Sequence, residues 1–257
     1  MVMHTVLVTG ASSGIGMELA KVFARNGHNL VLVARGRPAL EALAQELQTT
    51  FKVSAEVLEA DLSAPQGPDT LVHALMACNL HIDVLVNNAG FGLMGPHADL
   101  DMQRQLDMIQ VNVSSLVRLT RLLLPGMMSR NTGGVLNVAS TAAFQAGPNM
   151  AIYYATKAFV LSYTEALHEE VRSTQLHVTC LCPGPTTTGF VAAAGMEGIT
   201  LFKFGAQSAE AVANVGFAAF QRNQTIAISG FKNIALAWIG KFSPRYVTRK
   251  IAQALNQ

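Results

Sequence analysis

Charged residues, aromatic residues and cysteine are all scarce in this chain. Only 13% of its 257 residues are charged and 7% are aromatic, whereas half are hydrophobic. The formal net charge of +2 gives no electrostatic reason to expect nucleic acid or a strongly acidic partner. A chain so poor in charge suits a parallel sheet that is covered on both faces. Its length suits one α/β domain with a large core.

Cys78, Cys180 and Cys182 form neither a disulfide framework nor a metal-ligand pattern with histidine. No metal site is therefore predicted, and Cys180 and Cys182, in a strand-like run, are expected to be buried free thiols. No uninterrupted apolar run reaches about 18 residues, so no membrane span is expected. Residues 1–4 lead directly into a predicted strand and leave no room for a signal peptide, which predicts a cytoplasmic protein.

Short apolar runs alternate along the chain with segments of helical apolar spacing. Strands are predicted near residues 4–9, 29–34, 52–58, 82–87, 134–139, 176–182 and 225–229. Helices are predicted near residues 14–26, 37–49, 65–79, 101–125, 150–173 and 208–222. This alternation predicts a single-domain α/β fold, namely a Rossmann-type doubly wound parallel sheet of about seven strands with helices on both faces.

A glycine-rich turn follows the first predicted strand and opens the first predicted helix. The turn runs Thr9-Gly10-Ala11-Ser12-Ser13-Gly14-Ile15-Gly16. Glycines let the backbone turn tightly beside a pyrophosphate, whose charge is met by the helix N-terminus. The spacing departs from the G-x-G-x-x-G fingerprint, with three residues between the first two glycines. We expect a dinucleotide to bind here, and an ordinary glycine-rich turn is the alternative.

Tyr153 and Lys157 are four residues apart in a predicted helix, so both project from one face. A neighbouring ammonium group favours phenolate and would lower the tyrosine pKa toward neutrality, where it serves acid–base chemistry. Ser140 ends a predicted strand that would deliver its hydroxyl to the edge of the sheet. Taken alone, the Tyr–Lys pair is weak evidence, because Tyr and Lys four residues apart are common on solvated helices.

The end of the second predicted strand indicates which dinucleotide binds. Sites for NAD usually place Asp or Glu there, whereas NADP needs a cation. Here Arg35 follows the strand, with Arg37 close behind and no acid between. Arg35 can form a forked pair with a 2′-phosphate, and Ser12 and Ser13 could add hydroxyl donors. NADP(H) is therefore predicted; the alternative is that Arg35 is a solvated loop residue.

In chain order, these motifs resemble the short-chain dehydrogenase/reductase family in its compact single-domain form. The residues that carry the resemblance are Thr9 to Gly16, Asp61, Asn87-Asn88-Ala89-Gly90, Ser140, Tyr153-x-Ala155-Thr156-Lys157 and Pro183-Gly184. The resemblance covers about residues 3–230. It implies that Ser140, Tyr153 and Lys157 are catalytic and that Asn112 holds a water linking Lys157 to solvent. It also selects Tyr153 over Tyr154, which is left to packing or a subunit contact.

The resemblance further implies a binding set for NADP(H). Asp61 and Leu62 would line the adenine, and Asn88, Ala89 and Gly90 would border the ribose. Pro183, Gly184 and Thr188 would hold the nicotinamide, with Tyr153 and Lys157 beside it. The complete predicted cofactor set is Gly10, Ser12, Ser13, Gly14, Ile15, Gly16, Arg35, Asp61, Leu62, Asn88, Ala89, Gly90, Tyr153, Lys157, Pro183, Gly184 and Thr188.

The substrate is less closely defined by the sequence. Ser140 and Tyr153 would contact it, and Phe91 and Gln145 follow landmark motifs and are candidates for the same pocket. A substrate loop is placed at about residues 186–207 of a catalytic domain spanning 1–230, as the resemblance implies. Its apolar residues indicate a lipophilic ketone, aldehyde or acyl group. Ordinary core packing explains the same residues equally well.

Residues 231–257 extend beyond the minimal fold as a predicted helical extension of the same domain. This tail resembles that of the DltE-like bacterial reductases. An amphipathic surface helix that touches lipid or a lipophilic substrate is one interpretation. Packing on the domain or on a neighbouring subunit is the other. The resemblance also implies a homodimer or homotetramer that pairs through the helices near 101–125 and 150–173.

Taken together, the motifs predict an NADPH-dependent reductase that transfers hydride to the carbonyl of a lipophilic small molecule, reversibly. A catalytically idle NADP-binding regulator or scaffold on the same fold is the alternative. Such a protein would not need Asn112, Ser140, Tyr153 and Lys157 together. A longer, two-lobed epimerase or dehydratase would need a C-terminal substrate domain that this chain does not show.

Overall fold

The computed structural model describes residues 3–189, 194 and 205–255. The strands are β1 (Thr5–Thr9), β2 (Asn29–Ala34), β3 (Ala55–Glu59), β4 (Val84–Asn87), β5 (Gly134–Val138), β6 (His177–Cys182), β7 (Thr186–Thr187), β8 (Gln207–Ser208) and β9 (Ile226–Ile228). The helices are α1 (Gly14–Arg25), α2 (Arg37–Phe51), α3 (Gly67–Ala77), α4 (Met102–Ile109), α5 (Leu116–Arg130), α6 (Ala151–Glu170), α7 (Ala209–Gln221), α8 (Phe231–Phe242) and α9 (Arg245–Leu255).

Seven strands form one parallel sheet in the order β3-β2-β1-β4-β5-β6-β9. The order reverses between β1 and β4, which is the switch point where a doubly wound sheet leaves a crevice at the carboxyl ends of its strands. The predicted fold class is therefore confirmed. A second sheet of two strands, which was not predicted, is formed by β7 paired with β8.

Alternating side chains of the central strands fill two cores, one on each face of the sheet. Val6 and Val8 of β1 pack with α1, α2 and α7, whereas Leu7 packs with α3 and α5 on the opposite face. Because both faces are covered, the central strands are apolar throughout. This explains why so few residues of the chain are charged.

The predicted helix at 101–125 differs most from the structure. It consists of α4, one π-helical turn over Gln110–Ser115, and α5, which continues to Arg130. Pro125 lies inside α5, on its exposed side, where water can reach the carbonyl that it leaves without a donor. No helix in the described part of the chain is both long and apolar enough to cross a membrane.

Candidate active site

The glycine-rich turn lies at the carboxyl end of β1. Gly10 and Gly14 have φ angles of +66° and +56°, which favour glycine. Ser13 is the N-cap of α1, but its side chain makes no capping hydrogen bond. One large cavity is lined by Gly10, Ser12, Ser13, Gly14 and Ile15. The positive end of the α1 dipole therefore faces a space that could hold a pyrophosphate.

Gly16, also predicted to bind the cofactor, is buried and does not line this cavity. A Cβ atom at Gly16 would collide with the carbonyl oxygen of Gly10 and with the side-chain amide of Asn88. Its role is therefore indirect, because it lets α1 pack directly against the turn.

Thr9 connects this turn to the end of β4. Its hydroxyl accepts hydrogen bonds from the backbone N–H groups of Asn88 and Ala89, both at 3.0 Å, and donates to the carbonyl of Val86 at 3.2 Å. The Asn88 amide in turn donates to the carbonyls of Thr9 at 2.9 Å and Gly10 at 3.2 Å. Asn88 lines the cavity as predicted, yet its N–H groups are used to fix the turn. In the sequence, the only indication of this role is that Thr9 is a polar residue at the end of an apolar strand.

The segment after β3 forms another wall of the cavity, which Asp61 and Leu62 line. Hydrogen bonds from the hydroxyl and backbone N–H of Ser63 lower the pKa of Asp61, and the charge of Arg35 lowers it further. The Ser115 hydroxyl donates to the carbonyl of Leu62 at 2.7 Å. These bonds fix the two residues predicted to line the adenine.

Arg35 and Arg37 differ in their ion pairs. Arg37 contacts Glu41 and Glu59, each at 3.4 Å. In the described part of the chain, Arg35 makes no ion pair within 4.0 Å, and its side chain is exposed where it lines the cavity. Arg35 is therefore the cation that remains available for a phosphate.

Ser140 lies between β5 and a 3₁₀ turn at Thr141–Phe144. Its Oγ accepts a hydrogen bond from the backbone N–H of Ala142 at 3.1 Å and donates to the carbonyl of Pro183 at 3.4 Å. The backbone N–H of Thr141 donates to the same carbonyl at 2.8 Å. Ser140 is thus held between the ends of β5 and β6 with its hydroxyl on the cavity wall.

Tyr153 and Lys157 lie on the first two turns of α6 and line the cavity beside Ser140. The Nζ atom of Lys157 is 5.8 Å from the centre of the Tyr153 ring and donates to the carbonyl of Val138 at 2.9 Å. Burial raises the pKa of Tyr153 to about 12, although its hydrogen bond with Ser140 acts in the opposite direction. Burial also lowers the pKa of Lys157 to about 8.

The expectation that the pKa of Tyr153 falls toward neutrality is therefore wrong for this structure. The loss of hydration penalises the charged form of each group and is the largest cause of both pKa shifts. Tyr153 remains a protonated phenol throughout the physiological range. Tyr153 is consequently available as a proton donor near neutral pH.

Two cysteines lie beneath Lys157 in β6. Cys180 and Cys182 are fully buried free thiols, as predicted, and their sulfur atoms are 3.8 Å apart. Among the described residues, no group of His, Cys, Asp and Glu could hold a metal ion.

Asn112 lies in the π-helical turn and is buried behind the cavity wall. Its Oδ1 accepts from the backbone N–H of Phe91 at 3.1 Å, and its Nδ2 donates to the Phe91 carbonyl at 3.0 Å and to Thr156 Oγ1 at 3.1 Å. A Cβ atom at Gly90 would lie 2.9 Å from Asn112 Oδ1 and 3.5 Å from Lys157 Nζ. Asn112 therefore positions its neighbours, and its predicted water relay stays a prediction.

Pro183, Gly184 and Thr188 line the far wall of the cavity. A Cβ atom at Gly14 would lie 3.2 Å from the side chain of Thr188, so this threonine faces the start of α1. Of the predicted substrate loop at about 186–207, residues 190–193 and 195–204 lie outside the described residues. The pairing of β7 with β8 joins the two described ends of that loop.

The cavity has a volume of about 1440 Å³ and brings the predicted site together. Apart from Gly16 and Asn112, every predicted catalytic, cofactor and substrate residue lines it, including Phe91 and Gln145. A common ligand site occupies about 300–1000 Å³, so this space can hold a dinucleotide with a second molecule. Tyr154, assigned to packing, is buried against Met150 and also touches the cavity.

Several lining residues were not predicted from the sequence. Arg104, Asp107 and Val111 lie on the α4 side, and Asn233, Leu236, Ile239 and Ile251 belong to α8 and α9. Asn233 packs directly on Gly184, where a Cβ atom would collide with its side chain. These residues follow no local motif, and only the path of the C-terminal helices brings them to the cavity.

A doubly wound dinucleotide fold with Ser140, Tyr153 and Lys157 at its switch-point crevice defines a class of nucleotide-dependent oxidoreductases. The short chain dehydrogenase family matches residues 4–197. The chain therefore belongs to the short-chain dehydrogenase family.

Two curated relatives show the extent of the similarity. An uncharacterized oxidoreductase of Staphylococcus epidermidis is 34% identical over 182 residues, which cover 71% of this chain and 77% of that protein. A very-long-chain 3-oxoacyl-CoA reductase of Macaca fascicularis is 31% identical over 258 residues, covering 98% of this chain and 79% of that protein.

Solved structures agree with the fold and differ in their dinucleotide. A short-chain dehydrogenase from Sphingobium yanoikuyae in complex with NADPH is 33% identical, with a TM-score of 0.82 over 88% of this chain and 87% of that one. A family member from Burkholderia phymatum in complex with NAD is 25% identical, with a TM-score of 0.82 over 92% of each chain. The similarity to the DltE-like subgroup stays a prediction.

Proposed function

We propose that this protein is an NADPH-dependent reductase of a ketone, aldehyde or acyl carbonyl on a lipophilic small molecule. The observation that carries the proposal is the convergence of Ser140, Tyr153 and Lys157 on one cavity that begins at the α1 N-terminus. The turn fits a dinucleotide, because its glycines have positive φ and Ser13 leaves the helix end uncapped.

The protein's own part in the reaction is to orient the carbonyl and to supply a proton. A bound nicotinamide supplies the hydride for the carbonyl carbon. Ser140 and Tyr153 donate hydrogen bonds to the carbonyl oxygen as negative charge develops on it, and Tyr153 then transfers its proton to give the alcohol. Lys157 places a positive charge beside the phenolate that remains. Asn112 supports this arrangement through Thr156 and Phe91.

The high pKa of Tyr153 fits the proton-donating role that carbonyl reduction requires. Alcohol oxidation needs a base, and a phenol with a pKa of about 12 is almost entirely protonated near neutral pH. Reduction needs the protonated form, which is the one present. The reverse reaction uses the same groups and is expected to become faster at high pH.

Substitution of Tyr153 by phenylalanine tests the reductase assignment. Turnover of NADPH with a ketone should fall by about 10²–10⁴-fold, the usual contribution of general acid catalysis. NADPH binding, measured by protein fluorescence, should change little. Tyr154→Phe is the matched control, because it removes a neighbouring hydroxyl from the same cavity and should retain activity. Near-normal turnover by Tyr153→Phe would overturn the assignment.

The preference for NADPH rests on Arg35. Because Arg37 is paired with Glu41 and Glu59, only Arg35 of this pair is available for a 2′-phosphate. Arg35→Ala should raise the KM for NADPH by about 10–100-fold, the value of a charged hydrogen bond, and leave the KM for NADH unchanged. Arg37→Ala is the control and should alter neither. A wild-type preference for NADH would contradict this part of the proposal.

A lipophilic substrate is supported by the walls beside Tyr153. Phe91, Phe144, Met150, Leu236 and Ile239 line this part of the cavity, where Gln145 and Asn233 supply the uncharged polar groups. The name of the macaque relative, an acyl-CoA reductase, fits the same chemistry. A panel of aliphatic, aromatic and acyl carbonyls with NADPH would identify the class, and a preference for charged sugars would exclude a lipophilic substrate.

We further propose a homodimer or homotetramer that pairs through α4, α5 and α6, as the family resemblance implies. These helices expose Leu106, Leu122 and Phe159 by 50%, 41% and 41%. Light scattering after size exclusion would give the mass. Substitution of Leu122 and Phe159 by glutamate should release monomers.

A further inference from the structure

The C-terminal part of the chain carries charge of one sign only. Residues 211–257 contain six of the 18 Lys and Arg residues and none of the 16 Asp and Glu residues. The rest of the chain is consequently acidic overall, although the net charge of the whole is only +2. Three of these cations, Arg245, Arg249 and Lys250, lie exposed on α9. The two C-terminal helices, α8 and α9, therefore carry five basic residues and no acidic ones.

The same two helices expose large apolar side chains. On α8, Ala237 is buried, whereas Phe231, Leu236 and Trp238 are exposed by 85%, 57% and 53%. On α9, Tyr246 is 61% exposed beside the basic residues. Basic residues next to exposed aromatic and aliphatic side chains are typical of helices that lie in the interface of a lipid bilayer.

This surface adjoins the mouth of the catalytic cavity. Leu236, Ile239 and Ile251 line the cavity and are 57%, 56% and 49% exposed, so they lie at its rim. Gly240 faces Gln145 near the catalytic residues, since a Cβ atom there would lie 3.7 Å from Gln145 Oε1. A molecule that approaches the outer face of α8 and α9 is therefore close to the entrance.

We propose that α8 and α9 dock the protein on an anionic lipid bilayer, with the cavity mouth toward the lipid. The charge favours this occupant over a second copy of the same surface. Twofold pairing of the tail would bring its cations against each other with no carboxylate among residues 211–257 to offset them. An anionic bilayer satisfies both the positive charge and the exposed apolar residues.

Trp238 provides a direct probe, because it is the one tryptophan in the chain. The full-length protein is mixed with vesicles of phosphatidylcholine containing phosphatidylglycerol at about one part in three, or with phosphatidylcholine alone. With anionic vesicles we expect a blue shift of the emission, quenching by lipids with brominated acyl chains, and co-flotation that declines in high salt. An unchanged spectrum and no flotation with anionic vesicles would overturn the proposal.

Charge reversal separates a specific surface from general attraction. Arg249→Glu with Lys250→Glu should weaken vesicle binding by about tenfold or more, since each basic residue near the bilayer contributes substantially. Neither side chain lines the cavity, so reduction of a water-soluble ketone should be retained and would show that the variant is folded. The matched control is Lys52→Glu with Arg172→Glu, which changes the net charge by the same amount. These residues follow the C-terminal ends of α2 and α6, at the amino edge of the sheet and away from α8 and α9.

Three results would count against docking through α8 and α9. Equal loss of binding in both double variants would show attraction without a defined surface. Equal binding to neutral vesicles would remove the role of the cations. A blue shift that depends on protein concentration and needs no lipid would show that a second copy covers Trp238. The measurements do not depend on catalysis, so failure of the reductase assignment leaves this test intact.

Discussion

We expect the buried charge of Lys157 to lower the free energy of unfolding of this protein. Only 6% of the residue is exposed, and burial lowers the pKa of its ammonium group from 10.5 to about 8. A pKa change of this size corresponds to about 3 kcal/mol against the charged form in the folded state. Substitution by methionine removes that charge while retaining the length of the side chain.

The hydrogen bond to the Val138 carbonyl is lost at the same time, which costs about 1 kcal/mol. Lys157→Met should therefore raise the free energy of unfolding of the cofactor-free protein by about 2 kcal/mol at pH 7. Below about pH 8 the lysine is charged in both the folded and the unfolded state, so the full cost is present. Between pH 8 and 10.5 the folded state gives up the proton first, and the wild type regains stability.

Urea unfolding of the wild type and of Lys157→Met, at pH 7 and at about pH 9.5, measures the difference between their free energies of unfolding. The contributions of the titrating groups that both proteins share cancel in this difference. The advantage of Lys157→Met should nearly vanish at the higher pH, and its reductase activity should be lost at both. A variant less stable than the wild type at pH 7, or a difference that does not change with pH, would refute the reasoning.

Three further predictions concern the catalytic groups and the packing that supports them. The kcat/KM for ketone reduction should be constant below about pH 8 and fall above it as Lys157 loses its charge, while Tyr153 stays protonated until about pH 12; a rate that rises through pH 8 would contradict this. Gly16→Ala should destabilise the fold by about 1–3 kcal/mol in urea unfolding, because its Cβ meets the Gly10 carbonyl, whereas Gly36→Ala meets nothing within 4 Å and should not. Asn137→Ala should cost about 2–3 kcal/mol, since this fully buried amide bonds to both Asn87 and Thr164 at 2.9 Å; a loss below about 0.5 kcal/mol would show that the chain of amides is dispensable.

Most of the fold could be predicted from the sequence because its signals are local. The succession of strands and helices along the chain and the placement of the glycine turn follow from runs of apolar residues and from Gly10 and Gly14, whose conformations depend on few neighbours. Ser140, Tyr153 and Lys157 were found by spacing and resemblance together. The pKa of Tyr153 could not be predicted, since it depends on how completely the surroundings exclude water. The number of charges nearby does not determine that exclusion.

The features that escaped prediction depend on distant parts of the chain. The hydrogen bonds of Asn112 go to Phe91 and Thr156, which come from two other segments. The π-helical turn around Asn112 does not interrupt the helical spacing of the apolar residues, so the sequence gives no sign of it. The contribution of α8 and α9 to the cavity wall could likewise not be predicted. The position of these helices depends on contacts such as Asn233 with Gly184.

The short ladder between β7 and β8 has a consequence for how such enzymes can be altered. Thr186 pairs with Gln207 and Thr187 with Ser208, through hydrogen bonds of the backbone that do not depend on side-chain identity. The two attachment points of the intervening segment are thus fixed independently of what lies between them. A segment from another reductase could be inserted between these pairs with Tyr153 and the glycine-rich turn left untouched, provided that Thr188, which lines the cavity, is kept.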